Sequence, residues 1–323
     1  MKNLTMKLKK ATTMALRHFL GIDEEETLLV ITDEDMQEIG EAFYESGKKF
    51  CKESFIIQMQ TRKLNGEEPP EFLSETMRNA DVVVCPTSKS LAHTAAVFKA
   101  ARVGVRVAAL PEISPESFIR CINIDYDKTV KLTEKVEKRL QNVKEIKVTH
   151  ENGTDLRLDV EGRRLNVTNG MLNTLSAFGH LPGGEISIAP VENKTNGTLI
   201  LNSSLSLIGK IENPVTMDIR NGVAEKVSGY GGEARIFARY LHKGGNEGKT
   251  LCEIGFGTNH RATLPGEILE DMKSPGTVHF GFGNNISLSG KNYTPMHNDG
   301  VLKGATVWLD NELFIDEGEL VLD

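Results

Sequence analysis

The C-terminal half of the chain carries four short segments that combine a carboxylate or an imidazole with glycine. They are residues 181–185 (LPGGE), 252–257 (CEIGFG), 277–283 (TVHFGFG) and 296–300 (MHNDG). On an extended strand, residues i and i+2 face the same side, so His297 and Asp299 can reach one ion together. Glycines beside Glu253 and His279 allow another backbone or a substrate to approach closely. Together the segments favour a metal site.

The side chains in these segments are of the types that bind catalytic divalent metals. The candidate ligands are Glu185, Glu253, His279, His297 and Asp299. Mixed nitrogen and oxygen ligands suit Zn, Mn, Co or Fe(II). The four cysteines are far apart and form no CxxC pair, which argues against a structural zinc site.

The order of these segments resembles the metal-ligand series of the aminopeptidase T family, the thermophilic metallopeptidases, of which this chain would be a short member. The resemblance implies two metal ions, Zn, Co or Mn, held by the five candidate ligands. Glu185 or Glu253 would bridge the ions or act as a base, Asp299 would be a terminal or bridging ligand, and the imidazoles would be terminal ligands. The implied activity is removal of N-terminal residues from peptides, with the ions activating a bound water.

The resemblance extends to the N-terminal half, where residues 87–94 (TSKSLAHT) and 104–106 (GVR) are similar to the segment after the third strand of the family. His93 lies in this segment, and open α/β sheets bind ligands at the carboxyl ends of their strands. The peptidases have a tyrosine after their first metal-binding histidine, whereas this chain has residues 284–286 (NNI) there. Tyr293 is the candidate substitute, so Tyr293 and His93 are expected to orient the substrate.

The length of the chain is also similar to that of the dihydroxypyridine dioxygenases, which resemble this fold. The alternative that they imply is a mononuclear non-haem Fe(II) ring-cleaving dioxygenase, with His279, His297 and Asp299 as ligands. Glu253 separates the two hypotheses, because a second glutamate favours the two-metal hydrolase. A third hypothesis is a metal-binding relative without catalytic activity.

The elements that must position these residues divide into two patterns. The first 120 or so residues alternate short β-branched runs with helical segments, which predicts an α/β domain with a parallel sheet. The second half has alternating runs joined by turns such as Asn152-Gly153, which predicts a mainly antiparallel β (α+β) domain. The expected division is an α/β domain at 1–125, a connecting helix at 126–144 and a β-rich metal-binding domain at 145–323.

Composition narrows the range of partners. The formal net charge is −7, and without a basic tract the chain is a poor candidate for binding nucleic acid. No run of 18 uncharged apolar residues occurs, so no membrane span is expected. The basic N-terminus lacks the pattern of a signal peptide, and the scattered cysteines fit a reducing compartment, so we expect a cytoplasmic protein. The expected partner is a small peptide or small-molecule substrate, and a homodimer stays open as an alternative.

Overall fold

The computed structural model describes residues 2–122 and 125–322. They divide into two compact units, and the chain passes from one unit to the other more than once. The first unit consists of the residues up to Tyr126 and of Gly170–Gly183. The second consists of Asp127–Asn169 and of the residues from Gly184 onward. The sequence-based division placed all of 145–323 in one domain, whereas Gly170–Gly183 returns to the first unit.

The first unit is built on a parallel sheet, as the alternation of strand and helix segments predicts. Its strands are β1 (Thr27–Thr32), β2 (Glu53–Gln58), β3 (Val82–Cys85), β4 (Arg106–Ala109) and β8 (Phe178–His180), in the spatial order β2-β1-β3-β4-β8. All four pairings between neighbours are parallel. The last strand comes from the returning segment, which explains why the segment belongs to this unit.

Helices complete the first unit. They are α1 (Lys2–Met14), α2 (Gln37–Gly47), α3 (Glu71–Met77), α4 (Ala95–Arg102) and α5 (Pro115–Cys121), and α1 continues as a π-helix, Ala15–Phe19. Leu8, Ala11, Ala15 and Phe19 recur at helical spacing and are buried, so the N-terminal helix packs through its apolar face.

The second unit contains two antiparallel sheets. The eight-stranded sheet has the order β14-β13-β10-β6-β5-β18-β19-β20, and the seven-stranded sheet has the order β12-β11-β17-β16-β15-β9-β7. The strands of the first are β5 (Glu145–Thr149), β6 (Asp155–Asp159), β10 (Asn196–Leu201), β13 (Val215–Arg220), β14 (Val223–Ser228), β18 (Thr306–Leu309), β19 (Glu312–Asp316) and β20 (Glu319–Leu320). Those of the second are β7 (Leu165–Thr168), β9 (Glu185–Ile188), β11 (Ser204–Leu205), β12 (Gly209–Lys210), β15 (Leu251–Gly257), β16 (Val278–Gly283) and β17 (His297–Leu302). The predicted fold class, a parallel α/β domain followed by a mainly antiparallel one, is therefore confirmed.

The helices after Asp125 are α6 (Tyr126–Leu140), α7 (Gly232–Lys243), α8 (Gly245–Lys249), α9 (Ile268–Asp271) and a 3₁₀ helix, Ile286–Leu288. One large apolar cluster joins both sheets and includes Leu156, Ile254, Phe280 and Phe314, all fully buried. This core gives the strands of the seven-stranded sheet a rigid support on one face. Within residues 2–122 and 125–322, the helices are too short or too polar to cross a lipid bilayer.

Candidate metal centre

The candidate site lies on one face of the seven-stranded sheet. Along β15 and β16, apolar residues alternate with glycines and predicted ligands. Phe256 and Phe280 are fully buried in the apolar cluster. From residue 253 on β15 and residue 279 on β16, the intervening residues face the opposite side and are glycines or predicted ligands. They are Glu253, Gly255 and Gly257 on β15, and His279, Gly281 and Gly283 on β16.

Strand pairing brings the predicted ligands together on this face. On β17, His297 lies opposite Gly283 and Asp299 lies opposite Gly281. On the other side of β15, Glu185 at the start of β9 pairs with Gly257. Each predicted ligand on β9, β16 and β17 thus has a glycine as its cross-strand neighbour in β15 or β16.

Two of these glycines leave the room that the imidazole rings occupy. A Cβ atom at Gly255 would lie 2.2 Å from Cε1 of His279. A Cβ atom at Gly281 would lie 2.8 Å from Nε2 of His297 and 2.9 Å from Cβ of Glu253. Any larger residue would therefore displace a ring or a carboxylate, which explains the glycines between the ligands.

His297 is the centre of the tightest ligand group. Its Nε2 lies 3.0 Å from Oε2 of Glu253 and 3.0 Å from Oδ1 of Asp299. Donor atoms of these three residues all lie within 4.8 Å of one another. Ligand atoms that are each about 2.1 Å from one ion, at right angles, lie roughly 3 Å apart. The residues therefore fit a single divalent cation.

A backbone carbonyl holds the His297 ring in the orientation that a metal ligand needs. Nδ1 of His297 lies 2.8 Å from the carbonyl oxygen of Asn284, which can only accept a hydrogen bond. In the neutral ring Nδ1 therefore carries the proton, and Nε2 has its lone pair toward the two carboxylates. Such a hydrogen bond on the second ring nitrogen is usual for metal-binding histidines.

His279 lies next to this group and contacts the two glutamates. Its Nε2 lies 3.6 Å from Oε1 of Glu253 and 3.8 Å from Oε2 of Glu185. The side chain is almost completely buried. All five predicted ligands thus share one face of the sheet, with Glu253, His297 and Asp299 as the compact group.

Glu185 has a cationic neighbour that the sequence analysis does not include. Nζ of Lys273 lies 2.5 Å from Oε2 of Glu185, and the lysine side chain is completely buried. Lys273 follows Glu270 and Asp271 in a charged stretch, a pattern typical of a solvated loop. The local sequence therefore contains no signal for its burial.

Charge interactions within the site shift the pKa values of its members. Burial raises the pKa of Glu253, but hydrogen bonds and attraction from His279 and His297 outweigh burial and hold it well below its ordinary value. Burial lowers the pKa of His297, yet the Asp299 carboxylate raises it well above the ordinary imidazole value. Glu253 and Glu185 raise the pKa of His279 in the same way. The carboxylates therefore create a strong attraction for positive charge at Nε2 of both rings.

The two residues predicted to orient substrate lie outside the ligand group. His93 belongs to the first unit and precedes α4, and its ring centroid lies 6.1 Å from that of His180 in an edge-to-face arrangement. Tyr293 lies between the 3₁₀ helix and β17, and it is 72% exposed, whereas Glu253 and His297 are buried. Both roles remain predictions.

Comparison with known proteins identifies the family of the chain. The model of the family NicX: 2,5-dihydroxypyridine 5,6-dioxygenase matches residues 21–322. A curated relative, the 2,5-dihydroxypyridine 5,6-dioxygenase of Pseudomonas putida strain KT2440, is 25% identical over 256 residues, 75% of this chain and 71% of the relative.

Two solved structures share the fold. The 2,5-dihydroxypyridine dioxygenase from Pseudomonas putida KT2440 superposes with a TM-score of 0.81 at 19% identity, covering 98% of this chain and 97% of the other. Wild-type AmpT (aminopeptidase T) from Thermus thermophilus gives a TM-score of 0.72 at 14% identity, covering 98% and 99%. At these identities the likeness shows the fold alone.

The expectation of a metallo-aminopeptidase is therefore wrong, and with it the assignments as hydrolase and protease. The family match and the curated relative are both dioxygenases, and the likeness to AmpT extends only to the fold. The expectations of an enzyme and of a divalent metal, with Fe(II) for an oxygenase, are in agreement with the family. From residue 21 to residue 322, this chain belongs to the NicX 2,5-dihydroxypyridine 5,6-dioxygenase family.

Proposed function

We propose that the chain is a mononuclear non-haem Fe(II) dioxygenase that opens the ring of a dihydroxylated pyridine. The observation that carries the proposal is the ligand group of Glu253, His297 and Asp299, whose donor atoms lie within 4.8 Å of one another. Nitrogen and carboxylate donors of this kind suit Fe(II). The substrate class comes from the names of the family and of its curated relative.

The proposed iron ligands are Glu253, His297 and Asp299. The alternative set replaces Glu253 with His279, which would form the two-histidine, one-carboxylate arrangement common in Fe(II) oxygenases. The geometry favours Glu253, because its donor atom lies within 4.8 Å of those of His297 and Asp299, whereas His279 is not in that group and lies 3.6 Å from Oε1 of Glu253. In the proposed set, His279 contacts the ligand Glu253.

Fe(II) in this group would supply the redox chemistry that allows O₂ to react with an electron-rich ring. In a 5,6-dioxygenation the bond between ring carbons 5 and 6 breaks and both oxygen atoms enter the product, so no external reductant is consumed. The side chains of the chain have two tasks. Nε2 of His279, facing Glu185 and Glu253, is placed to hold a proton from a substrate hydroxyl. The buried Phe256 and Phe280 exclude water from the opposite face of the strands.

An oxygen electrode tests this proposal directly. Protein stripped with a chelator and reloaded anaerobically with Fe(II) should consume one O₂ per 2,5-dihydroxypyridine, with loss of the ring absorbance. The same protein loaded with Zn(II), which has no redox chemistry, should consume none. If the iron-loaded chain binds metal and yet takes up no O₂ with any dihydroxypyridine, the proposed reaction is wrong and a non-catalytic metal protein is the better description.

A further inference from the structure

The buried ion pair between Lys273 and Glu185 has no role in the proposed reaction. Lys273 is completely buried, and its Nζ lies 2.5 Å from Oε2 of Glu185, which is also buried. A buried ion pair contributes little net stability compared with apolar side chains of similar size, because both charges must leave water. Its position next to the other four candidate ligands therefore calls for a functional explanation.

The chain brings Lys273 to this position through a segment with extensive internal hydrogen bonding. The buried Glu270 carboxylate accepts hydrogen bonds from the backbone N–H and the hydroxyl of Thr263. The buried Asp271 accepts from the backbone N–H of Gly266 and from the hydroxyl of Ser203. These contacts fix the short helix α9, which ends at Asp271, two residues before the lysine.

Close contact with β15 completes the placement. A Cβ atom at Gly257 would lie 2.7 Å from the carbonyl carbon of Lys273 and 2.0 Å from the carbonyl oxygen of Ser274. The backbone N–H of Asn259 also donates to the Lys273 carbonyl, at 2.8 Å. Because Gly257 is the cross-strand partner of Glu185, the segment carries the lysine to that carboxylate.

The Lys273 ammonium contacts the carboxylate oxygen that a second metal ion would need as a ligand. Oε2 of Glu185, the atom that contacts Lys273, is also the atom that faces Nε2 of His279, at 3.8 Å. A cation held between Glu185 and His279 would compete with the ammonium for the same oxygen. Glu185, Glu253 and Asp299 carry three negative charges, and Lys273 carries one positive charge. With neutral imidazoles the site therefore has two net negative charges, which one divalent ion neutralises.

We infer that the Lys273 ammonium takes the place of a second metal ion at Glu185 and thereby limits the site to one ion. The inference deepens the proposed function, because it rests on the one-ion site of the dioxygenase. Lys273 sets the number of bound ions through its contact with Glu185, which is not one of the proposed iron ligands.

Counting ions in equilibrium dialysis against Mn(II), with elemental analysis, tests the inference without any assay of activity. Wild type is expected to bind one ion per chain. Lys273→Met keeps the length of the side chain and removes its charge, so it should bind two. The double variant Lys273→Met/Glu185→Gln should return to one ion, because the freed carboxylate is gone. Lys226→Met, which changes an exposed lysine of β14, is the matched control and should bind one.

Two results overturn the inference: two ions in wild type, or one ion in a folded Lys273→Met protein. If circular dichroism shows that Lys273→Met does not fold, Glu185→Gln decides. With Lys273 in place this variant should keep one ion per chain, whereas loss of that ion would make Glu185 a ligand. O₂ uptake by the iron-loaded wild type tests the reaction separately, so failure of the reaction and failure of the inference are distinguishable.

Discussion

At the scale of single residues, His297 has the contacts that best define the site. Its Nδ1 donates to the carbonyl of Asn284, and its Nε2 lies 3.0 Å from both Glu253 and Asp299. No other histidine of the ligand face has both ring nitrogens placed in this way among the described residues, since Nδ1 of His279 has no hydrogen-bond partner there. Loss of His297 should therefore have the largest effect on metal binding.

Alanine substitutions should rank the ligands. His297→Ala should reduce Fe(II) content to background, because it removes the donor that contacts both carboxylates. Glu253→Ala should do the same if Glu253 is a direct ligand. His279→Ala should weaken binding by about 10–100-fold, the usual effect of a residue that contacts a ligand. Equilibrium dialysis under argon measures all three. The reverse order for Glu253 and His279 would favour the two-histidine set.

Metal affinity should depend on pH because protons compete with the ion for His297. The pKa of this imidazole lies well above its ordinary value, because the Asp299 carboxylate favours the charged ring, so protons compete with the ion over a higher pH range than at an ordinary imidazole. Only the neutral ring binds metal. Apparent affinity should fall as the pH falls, beginning above about pH 6.5, the ordinary imidazole pKa. Calorimetric titrations in buffers of different ionisation enthalpy should detect proton release on binding. A metal affinity that does not change between about pH 6 and pH 8 would contradict this prediction.

His93 provides a test of the substrate-orienting role expected from the sequence. If His93 orients the substrate, His93→Ala should lose most O₂ uptake and keep its full iron content, because the ligand group consists of other residues. Iron analysis and the oxygen electrode measure the two quantities on the same sample. Unchanged activity would leave His93 with a structural role only.

At the scale of elements, the glycines of β15 and β16 make the ligand face. A Cβ atom at Gly255 would lie 2.2 Å from the His279 ring, in an element whose other face is fully packed. The strand therefore cannot move away from the ring without disturbing Ile254 and Phe256. The same substitution at Gly232 has no such consequence, because nothing lies within 4 Å of a Cβ atom built there.

Gly255→Ala should accordingly lower the free energy of unfolding by about 1–3 kcal/mol, the usual cost of overpacking. It should also weaken metal binding by displacing His279. Gly232→Ala, in the first turn of α7, should be neutral or slightly stabilising, by up to about 1 kcal/mol. Urea unfolding of the stripped proteins measures the difference. Equal stability of the two variants would show that the sheet adjusts to the added methyl group.

At the scale of the whole molecule, metal binding should stabilise the second unit, since all five candidate ligands and Lys273 belong to it. An ion present at 100 times its dissociation constant adds about 2.7 kcal/mol to the stability of the form that binds it. Hydrogen exchange with and without Mn(II) should show slower exchange in β9, β15, β16 and β17. The His297→Ala protein should show no such change, and a change of equal size in that variant would mean that the ion binds elsewhere.

The sequence by itself determined the composition of the ligand face. Alternation with a period of two is a local property of a strand, so the local pattern alone assigns His297 and Asp299 to one side. The hairpin turns and the parallel sheet also follow from local signals, because turn chemistry and strand-helix alternation are readable over short windows. The ligand types were sufficient to predict a divalent metal, but they did not distinguish the hydrolase from the dioxygenase.

Only the tertiary structure decided which distant residues complete the site. Glu185 reaches β15 through a pairing between strands far apart in sequence, and Lys273 reaches Glu185 through a loop that hydrogen bonds to its own buried carboxylates. The return of Gly170–Gly183 to the parallel sheet is likewise a long-range pairing. Such contacts depend on strand order and on the packing of loops against glycines. Neither feature can be read from a short window of the sequence. The local sequence of Lys273 is that of an exposed loop, and its burial follows from the fold around it.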